Sequence, residues 1–205
     1  LTVTNYPEGQ TETFAVENNP MDETAGMRTI TFSKNLWIES DDFMEEKVGK
    51  FFRLFPGNEV RLKGAYVVKC TGCVKDAVGN VTEVLCEYDP ESKGGNPADG
   101  RKVKSTIHWV NADDCADAEI RLYSNLFDDP DPDASGKDFI ACLNPNSLEI
   151  LTGCKVEAAL KNAAAPISFQ FMRLGYFCVD SKDSSPEHLV FNRSVSLKDS
   201  FKPKK

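Results

Sequence analysis

Histidine is scarce in this chain, and its scarcity limits the catalytic chemistry that the sequence can support. The 205 residues include two histidines, His108 in an apolar run and His188 next to Glu187. A Ser–His–acid triad needs its nucleophile on a strained turn, and no Gly-x-Ser-x-Gly pattern is present. The glycine-rich loops that bind phosphates or dinucleotides are absent as well. These absences count against a hydrolase or a nucleotide-binding enzyme, and we interpret His108 as a core or interface histidine.

Basic residues are in the minority. Lys and Arg number 24 against 32 Asp and Glu, which gives a net charge of −8. Proteins that bind DNA or RNA regardless of sequence neutralise phosphates with Lys and Arg, so this balance argues against such binding. The basic residues are clustered, however, and a local basic face stays open as an interpretation beside that of a solvated surface. The two clusters are Arg61, Lys63 and Lys69, and Arg101, Lys102 and Lys104.

Long apolar segments and paired metal ligands are also missing. No run has the length of a membrane span or the features of a signal peptide. Seven cysteines are an odd number, and we interpret them as reduced thiols in a cytosolic protein. Cys70 and Cys73 lack the second pair of ligands that a zinc site needs. The acidic run 128–133 lacks the Gly and the Glu of a calcium loop. We therefore expect no metal and no cofactor in this chain.

What the chain has in abundance is apolar–polar alternation with a period of two, bounded by Gly, Pro, Asn and Asp. This pattern is typical of an antiparallel all-β protein with many short strands, as in barrels and sandwiches. Residues 7–9 and 75–80 are predicted to be hairpin turns, and residues 41–46 a short helix. The turn-rich loop 91–100 favours a division into two domains, residues 1–107 and residues 108–205.

The runs 168–180 and 189–199 are interpreted as two alternating strands. Their polar side carries Gln170, Arg173, Asn192, Arg193 and Lys198. Such side chains can bind the edges and phosphates of unstacked nucleotides, the usual target of sequence-specific RNA recognition. Aromatic rings in 51–54 and 169–173 could stack on bases, at about 1–3 kcal/mol each. Phe169 and Phe171 point the same way along a strand, however, and are expected in the core.

Five segments carry a family resemblance. They are GRKVKSTIHWV at 100–110, AEIRLY at 118–123, LNPNSL at 143–148, SFQFMRLGYFCVD at 168–180 and LVFNRSVSLKD at 189–199. In this order they resemble the C-terminal anticodon-binding region of glutaminyl-tRNA synthetases. The resemblance implies two tandem six-stranded antiparallel β-barrels with short helices and exchanged terminal strands. It also implies that the anticodon loop of the tRNA opens between the barrels.

The resemblance further implies which residues bind tRNA: Arg53, Arg61, Lys63, Gln170, Arg173 and Lys198. Arg53 would lie at the base-reading surface, while Arg61 and Lys63 would reach anticodon bases or their phosphates. Gln170 and Arg173 would lie near the middle base, which is uracil in tRNA(Gln), followed by guanine. Two positions depart from the family pattern. Met172 stands where an acidic residue is common and Lys63 where arginine is common, which alters the expected base contacts.

The whole enzyme of this family is a cytoplasmic ligase that joins glutamine to tRNA(Gln) with ATP and Mg²⁺. The His-rich ATP signature and the Lys-Ser loop of its catalytic domain are absent from these 205 residues. We therefore interpret the chain as the anticodon-binding module, without catalytic residues. Its expected partners are the tRNA(Gln) anticodon loop and the catalytic domain of the same polypeptide, with no membrane and no DNA.

Three alternatives stay open from sequence alone. One is a stand-alone structural RNA-binding barrel protein, because a ribosomal protein that binds 5S RNA shares this barrel type. Another is the equivalent region of a glutamyl-tRNA synthetase, which the segment LVFNR at 189–193 disfavours. The third is a hydrolase that uses scattered acids, which would require turnover by the isolated chain. The upstream reading frame separates the first alternative from a synthetase.

Overall fold

The computed structural model describes residues 1–197, and these consist almost entirely of strands and loops. The strands are β1 (Thr2–Val3), β2 (Glu12–Glu17), β3 (Met27–Phe32), β4 (Leu36–Trp37), β5 (Glu59–Leu62), β6 (Val67–Lys75), β7 (Val81–Tyr88), β8 (Thr106–Ile107), β9 (Val110–Asn111), β10 (Cys115–Tyr123), β11 (Leu148–Glu157), β12 (Ser168–Phe171), β13 (Gly175–Val179) and β14 (Leu189–Ser196). Short 3₁₀ turns occupy Glu23–Ala25, Ser40–Asp42, Pro90–Ser92, Asp133–Ser135, Phe139–Cys142 and Ala158–Leu160. The predicted all-β class is confirmed.

The chain forms two compact units. Unit 1 contains Leu1–Cys115 together with Glu157–Ala159, and unit 2 contains Ala116–Val156 together with the described residues 160–197. The chain thus leaves unit 1 after Cys115 and returns to it at Glu157–Ala159, where β11 ends and a 3₁₀ turn begins.

Unit 1 contains a five-stranded sheet of order β1-β7-β6-β5-β8 and two two-stranded sheets, β2-β3 and β4-β9. The β6–β7 hairpin confirms the turn predicted at 75–80, where the Asp76 carboxylate accepts from the backbone N–H of Val78 and of Asn80. The hairpin expected around 7–9 is wrong. Strand β1 pairs in parallel with β7, and β2 pairs with β3.

One apolar core joins the three sheets of unit 1. It draws Val3 from β1, Phe14 from β2, Phe32 from β3, Leu36 from β4 and Val60 from β5. Each of these strands has an apolar side turned inward, and burial of that side is the main driving force for packing the sheets together.

Unit 2 has a five-stranded sheet of order β11-β10-β14-β13-β12, with Ile120, Phe177 and Phe191 in its core. The run 168–180, predicted as one strand, is instead the antiparallel hairpin β12–β13. The chain reverses at Arg173, whose φ of 66° is uncommon for a residue with a Cβ.

The six-stranded antiparallel barrels are not confirmed. Among residues 1–197 the two large sheets have five strands each, and their outermost strands do not pair to close a barrel. Strands β1 and β8, at the edges of the first sheet, are only two residues long. Pairing is also mixed, because β1–β7, β5–β8 and β10–β14 are parallel.

Candidate nucleic-acid interface

Arg53 is held by the segment that precedes it in unit 1. Its Nη1 donates to the backbone oxygen of Asp41 at 2.7 Å and to the Asp42 carboxylate at 3.1 Å. Asp42 is fully buried, whereas the Arg53 side chain is 38% exposed. The guanidinium also lies 5.3 Å from the centroid of the Phe51 ring. Arg53 is thus oriented by a buried carboxylate while part of its hydrogen-bonding fork faces solvent.

The short helix predicted at 41–46 is reduced to the 3₁₀ turn Ser40–Asp42. Asp42 lies in the segment for which that helix is predicted, and in the structure its carboxylate accepts from Arg53. Sequence reasoning could not find this partner, because the Ser40–Asp42 turn and Arg53 are brought together by tertiary packing.

Arg61 lies on the outward side of β5 and Lys63 is exposed just after the strand, whereas Val60 and Leu62 are fully buried. This alternation confirms the sequence pattern. Arg61 is half-buried and donates through Nε to the Gly95 carbonyl at 2.6 Å and through Nη1 to the Val103 carbonyl at 2.7 Å. Arg61 therefore fixes the loop that follows β7, in addition to facing the surface.

Lys63 is exposed, and no side-chain partner is found for it among residues 1–197. Its backbone is fixed, since its N–H donates to the Ile107 carbonyl at 3.0 Å. Its carbonyl accepts from Trp109 Nε1, also at 3.0 Å. An exposed ammonium group on a hydrogen-bonded backbone suits contact with a phosphate as a point charge.

Arg101 ties the same loop to the sheet. It binds the Glu59 carboxylate through two nitrogens at 2.9 and 3.1 Å, and it also binds Asp89 and Asp99. Hydrogen bonds to Glu59, then to Asp89 and Asp99, raise the pKa of Arg101 above its ordinary value. Arg101 belongs to the second basic cluster of the sequence. Three carboxylates more than balance its charge, so its role is to hold the loop.

A cleft opens beside this loop. Its lining includes Arg61, Asn96, Gly100, Arg101, Lys102 and Lys104. Because the carboxylates that bind Arg101 more than balance its charge, the positive charge available to a ligand comes from Arg61, Lys102 and Lys104. We call this the basic cleft, since these three cations are of the kind that bind phosphates, on a chain that is acidic overall.

An exposed aromatic ring adjoins the cleft. Phe52 is 40% exposed, and Lys104 Nζ lies 4.9 Å from the centroid of its ring. Lys47 Nζ lies 5.6 Å from the same ring and 5.6 Å from the Phe55 ring. Aromatic faces beside ammonium groups are the combination on which single-stranded nucleic acids stack and neutralise their charge. The sequence pointed to the aromatic segment but not to Lys47 as part of it.

In unit 2, Gln170 lies on β12 with its side chain exposed, and no hydrogen-bond partner is found for it among residues 1–197. Phe169 and Phe171, on either side, pack against the core of unit 2, as their spacing predicted. Arg173 lies in the turn between β12 and β13 and is also exposed. Gln170 and Arg173 are therefore two exposed residues of the same hairpin. Lys198 lies outside the described residues.

A polar network holds the neighbouring strands of unit 2. Arg121 binds Glu119 at 2.7 Å and Asp183 at 2.6 Å. Asn192 donates to Asp180 at 2.6 Å, and this bond, with the N–H groups of Asp183 and Lys182, lowers the pKa of Asp180 to about 2. Asn192 was assigned to the polar side of its strand, and its amide N–H is used within the protein.

Other kinds of site are not indicated. Among residues 1–197, no group of three or more His, Cys, Asp or Glu side chains could hold a metal ion. No helix in this part of the chain is long and apolar enough to cross a membrane. His108 is half-buried, and its Nε2 lies 3.0 Å from Glu157 Oε1.

Comparison with protein families identifies the class. A family of anticodon-binding domains of class I tRNA synthetases (E and Q) matches residues 1–89, and a second family with the same description matches residues 106–180. The chain therefore belongs to the anticodon-binding domains of the class I tRNA synthetases of the E and Q type, which confirms the resemblance noted from sequence.

The similar curated proteins are glutamine–tRNA ligases. That of Clostridium perfringens is 54% identical over 204 residues, an alignment covering 100% of this chain and 37% of the relative. That of Bordetella avium is 56% identical over 205 residues, covering 98% and 34%. That of Vibrio vulnificus is 51% identical over 201 residues, covering 98% and 36%. The chain spans about a third of the length of these relatives.

Proposed function

We propose that this chain reads the anticodon loop of tRNA(Gln) on behalf of a glutamine–tRNA ligase. The observation that carries the proposal is the similarity along the whole chain, at more than half identity, to glutamine–tRNA ligases. The basic cleft and exposed Phe52 of unit 1 support it, as does the exposed Gln170–Arg173 hairpin of unit 2. A local binding surface reconciles RNA binding with a net charge of −8.

The residues divide by chemistry. In unit 1, Arg53, Arg61 and Lys63 offer cationic donors to bases and phosphates, and Phe52 offers a stacking surface. In unit 2, Gln170 can pair with a base edge through one donor and one acceptor, and Arg173 can donate to the same nucleotide or its phosphate. Lys198 is proposed as a further tRNA contact on the basis of the family resemblance.

We propose that ATP-dependent joining of glutamine to tRNA takes place in a catalytic domain of the same polypeptide, in the cytoplasm. The relatives extend well beyond the aligned region, which leaves room for such a domain. ATP and Mg²⁺ would bind there, and the residues of this chain would contribute anticodon recognition only.

We also propose that the chain comprises two anticodon-binding barrels, residues 1–107 and 108–205, with exchanged terminal strands. Two family matches, 1–89 and 106–180, support a two-part division. In unit 1 the three sheets share one core, which is the packing expected of a barrel whose wall is interrupted.

The test is binding of the 205-residue chain to RNA stem-loops with a seven-nucleotide loop, measured by fluorescence anisotropy. One RNA carries the anticodon CUG, and the other replaces the middle uridine with adenosine. We expect the chain to prefer the first RNA, and we expect Gln170→Ala and Arg53→Ala to weaken its binding by about 5- to 150-fold each.

The matched control is Lys182→Ala, which removes an exposed charge of unit 2 outside the proposed sites and should leave binding unchanged. Equal affinity of the unmodified chain for both RNAs, with no effect of Gln170→Ala or Arg53→Ala, would overturn the proposed function.

A further inference from the structure

Tyr176 occupies a position that the sequence did not single out. Along β13 the side chains alternate, with Gly175, Phe177 and Val179 buried and Tyr176 43% exposed. The ring of Tyr176 therefore lies on the outer face of the unit 2 sheet, away from the core that Phe177 and Val179 help to form.

The register of the sheet places Tyr176 beside Gln170. The two residues are paired directly across β12 and β13, and Tyr176 is paired with Val195 across β13 and β14. Directly opposed residues of an antiparallel pair project from the same face, with Cβ atoms about 4.5–5.5 Å apart. The phenol ring and the Gln170 amide are therefore neighbours on one exposed surface.

Both groups are available to a ligand. Among residues 1–197, neither the Tyr176 hydroxyl nor the Gln170 amide has a hydrogen-bond partner. Val195, on the other side of Tyr176, is 56% exposed and continues the apolar surface. An aromatic ring beside an unpaired amide can bind one unstacked base, because the ring covers the face of the base while the amide pairs with its edge.

The competing explanation for a tyrosine at position 176 is that its ring stabilises the sheet by contacting a side chain on the neighbouring strand. An aromatic side chain opposite a β-branched one stabilises an antiparallel pair, and Tyr176 lies opposite Val195. That role needs an apolar side chain at position 176 but does not need an aromatic face. Leucine at this position would keep the contact and remove the stacking surface, so the two roles can be separated by experiment.

We propose that Tyr176 is a stacking residue for the base that Gln170 reads. The inference rests on the proposed function and extends it by assigning a separate role to each of the two side chains. Tyr176 supplies affinity with little regard to base identity, because every base has a face that can stack. Gln170 supplies discrimination through its donor and acceptor.

The experiment compares Tyr176→Leu and Tyr176→Phe with the unmodified 205-residue chain, using the CUG stem-loop and fluorescence anisotropy. Tyr176→Leu should weaken binding by about 5- to 150-fold, and Tyr176→Phe should bind nearly as well as the unmodified chain. Tyr123→Leu is the matched control, since Tyr123 is 47% exposed on β10 and lies outside the proposed site. It should leave affinity unchanged.

A second RNA, with an abasic ribose in place of the middle uridine, tests which base is stacked. On this RNA, Tyr176→Leu should bind no more weakly than the unmodified chain, because no base is left to stack on the ring. A Tyr176→Leu chain that binds the CUG RNA with full affinity would overturn the inference. A loss that is equally large on the abasic RNA would also overturn it.

The two proposals fail differently. If Gln170→Ala weakens binding and Tyr176→Leu does not, the proposal that the chain reads the anticodon is supported and the proposed stacking role of Tyr176 is overturned. If neither substitution has an effect, and the unmodified chain does not distinguish the RNAs, the proposed function itself falls. Thermal unfolding of each variant identifies any loss of binding that reflects loss of folding.

Discussion

At the scale of single residues, Glu157 shows how hydrogen-bonding partners outweigh the effect of burial on the pKa of a carboxylate. Arg28 donates to its carboxylate through Nε at 2.6 Å and through Nη2 at 3.0 Å, and His108 Nε2 lies 3.0 Å away. Burial alone would raise the pKa of Glu157, but the hydrogen bonds from His108 and Arg28 outweigh it and lower the pKa to about 2. The carboxylate is therefore more stable as an anion in the folded protein than in the unfolded chain.

This difference predicts an acid-sensitive contribution to stability. Because folding lowers the pKa of Glu157 from its ordinary value of 4.5, its contribution is complete above pH 4.5 and is lost as the pH falls through about 2. The change of pKa corresponds to roughly 3 kcal/mol. Glu157→Gln should lower the free energy of unfolding at pH 7 by an amount of this order and flatten its dependence on pH between 2 and 4.5. Urea unfolding at a series of pH values measures both effects.

The control for this prediction is Glu149→Gln, which alters an exposed carboxylate on the same strand, β11. It should leave both the stability and its pH dependence close to those of the unmodified chain. Identical acid profiles for Glu157→Gln and the unmodified chain would show that the ion pairs do not contribute to stability.

At the scale of elements, Gly175 allows β13 and β14 to approach each other. Its φ is 150°, and a Cβ added to it would lie 2.5 Å from the backbone oxygen of Val195. A backbone atom cannot move aside as a flexible side chain can, so Gly175→Ala would force the two strands apart. We expect a loss of about 1–3 kcal/mol or more in the free energy of unfolding. Chemical denaturation measures it.

Gly72→Ala is the matched control, because Gly72 also lies in a strand and a Cβ there would meet nothing within 4 Å. Equal stability of the two variants would contradict the close approach at Gly175. Since the β12–β13–β14 surface carries the proposed base-reading residues, Gly175→Ala should weaken RNA binding as well.

The elements show which features of the fold local sequence can predict. The β6–β7 hairpin was predicted because its turn residues are local, and Asp76 and Gly79 form the turn as such residues usually do. The hairpin between β1 and β2 was wrong because β1 pairs with β7, far along the chain, and no local pattern encodes a distant partner. The reversal at Arg173 was missed because an arginine with positive φ gives no turn signal.

The candidate site divides in the same way. Alternation was enough to predict that Arg61 and the following Lys63 are turned away from the buried Val60 and Leu62. It also placed Phe169 and Phe171 on the core side of β12. It could not show that carbonyls of the following loop bind Arg61, or that Asp42 holds Arg53. Those contacts depend on tertiary packing. The predicted roles of Arg53, Arg61, Lys63, Gln170 and Arg173 in tRNA binding stay predictions, as does that of Lys198.

At the scale of the whole molecule, an acidic chain that binds RNA must do so through a few local contacts. The affinity should fall with salt, with a slope of about 0.7 in the double logarithmic plot for each phosphate neutralised on a single-stranded loop. Lys102→Ala, which removes a cation from the unit 1 cleft, should reduce the slope by about that amount. Titrations of the CUG stem-loop at several salt concentrations measure it.

Lys137→Ala serves as the comparison, because it makes the same change of net charge at an exposed residue that does not line the cleft. If both lysine variants change the slope equally, binding responds to overall charge and the cleft has no special role. An unchanged slope for Lys102→Ala would show that this lysine does not contact a phosphate.

The return of the chain to unit 1 at Glu157–Ala159 has a consequence for biosynthesis. When Cys115 leaves the ribosome, Arg28 and His108 have already been made, but the carboxylate that pairs with them has not. Translation at roughly 5–20 residues per second delays that partner by several seconds. Unit 1 can therefore bind the Glu157 carboxylate only after residues 116–156 of unit 2 have been synthesised. A polypeptide cut after residue 115 would retain Arg28 and His108 without the carboxylate that binds them.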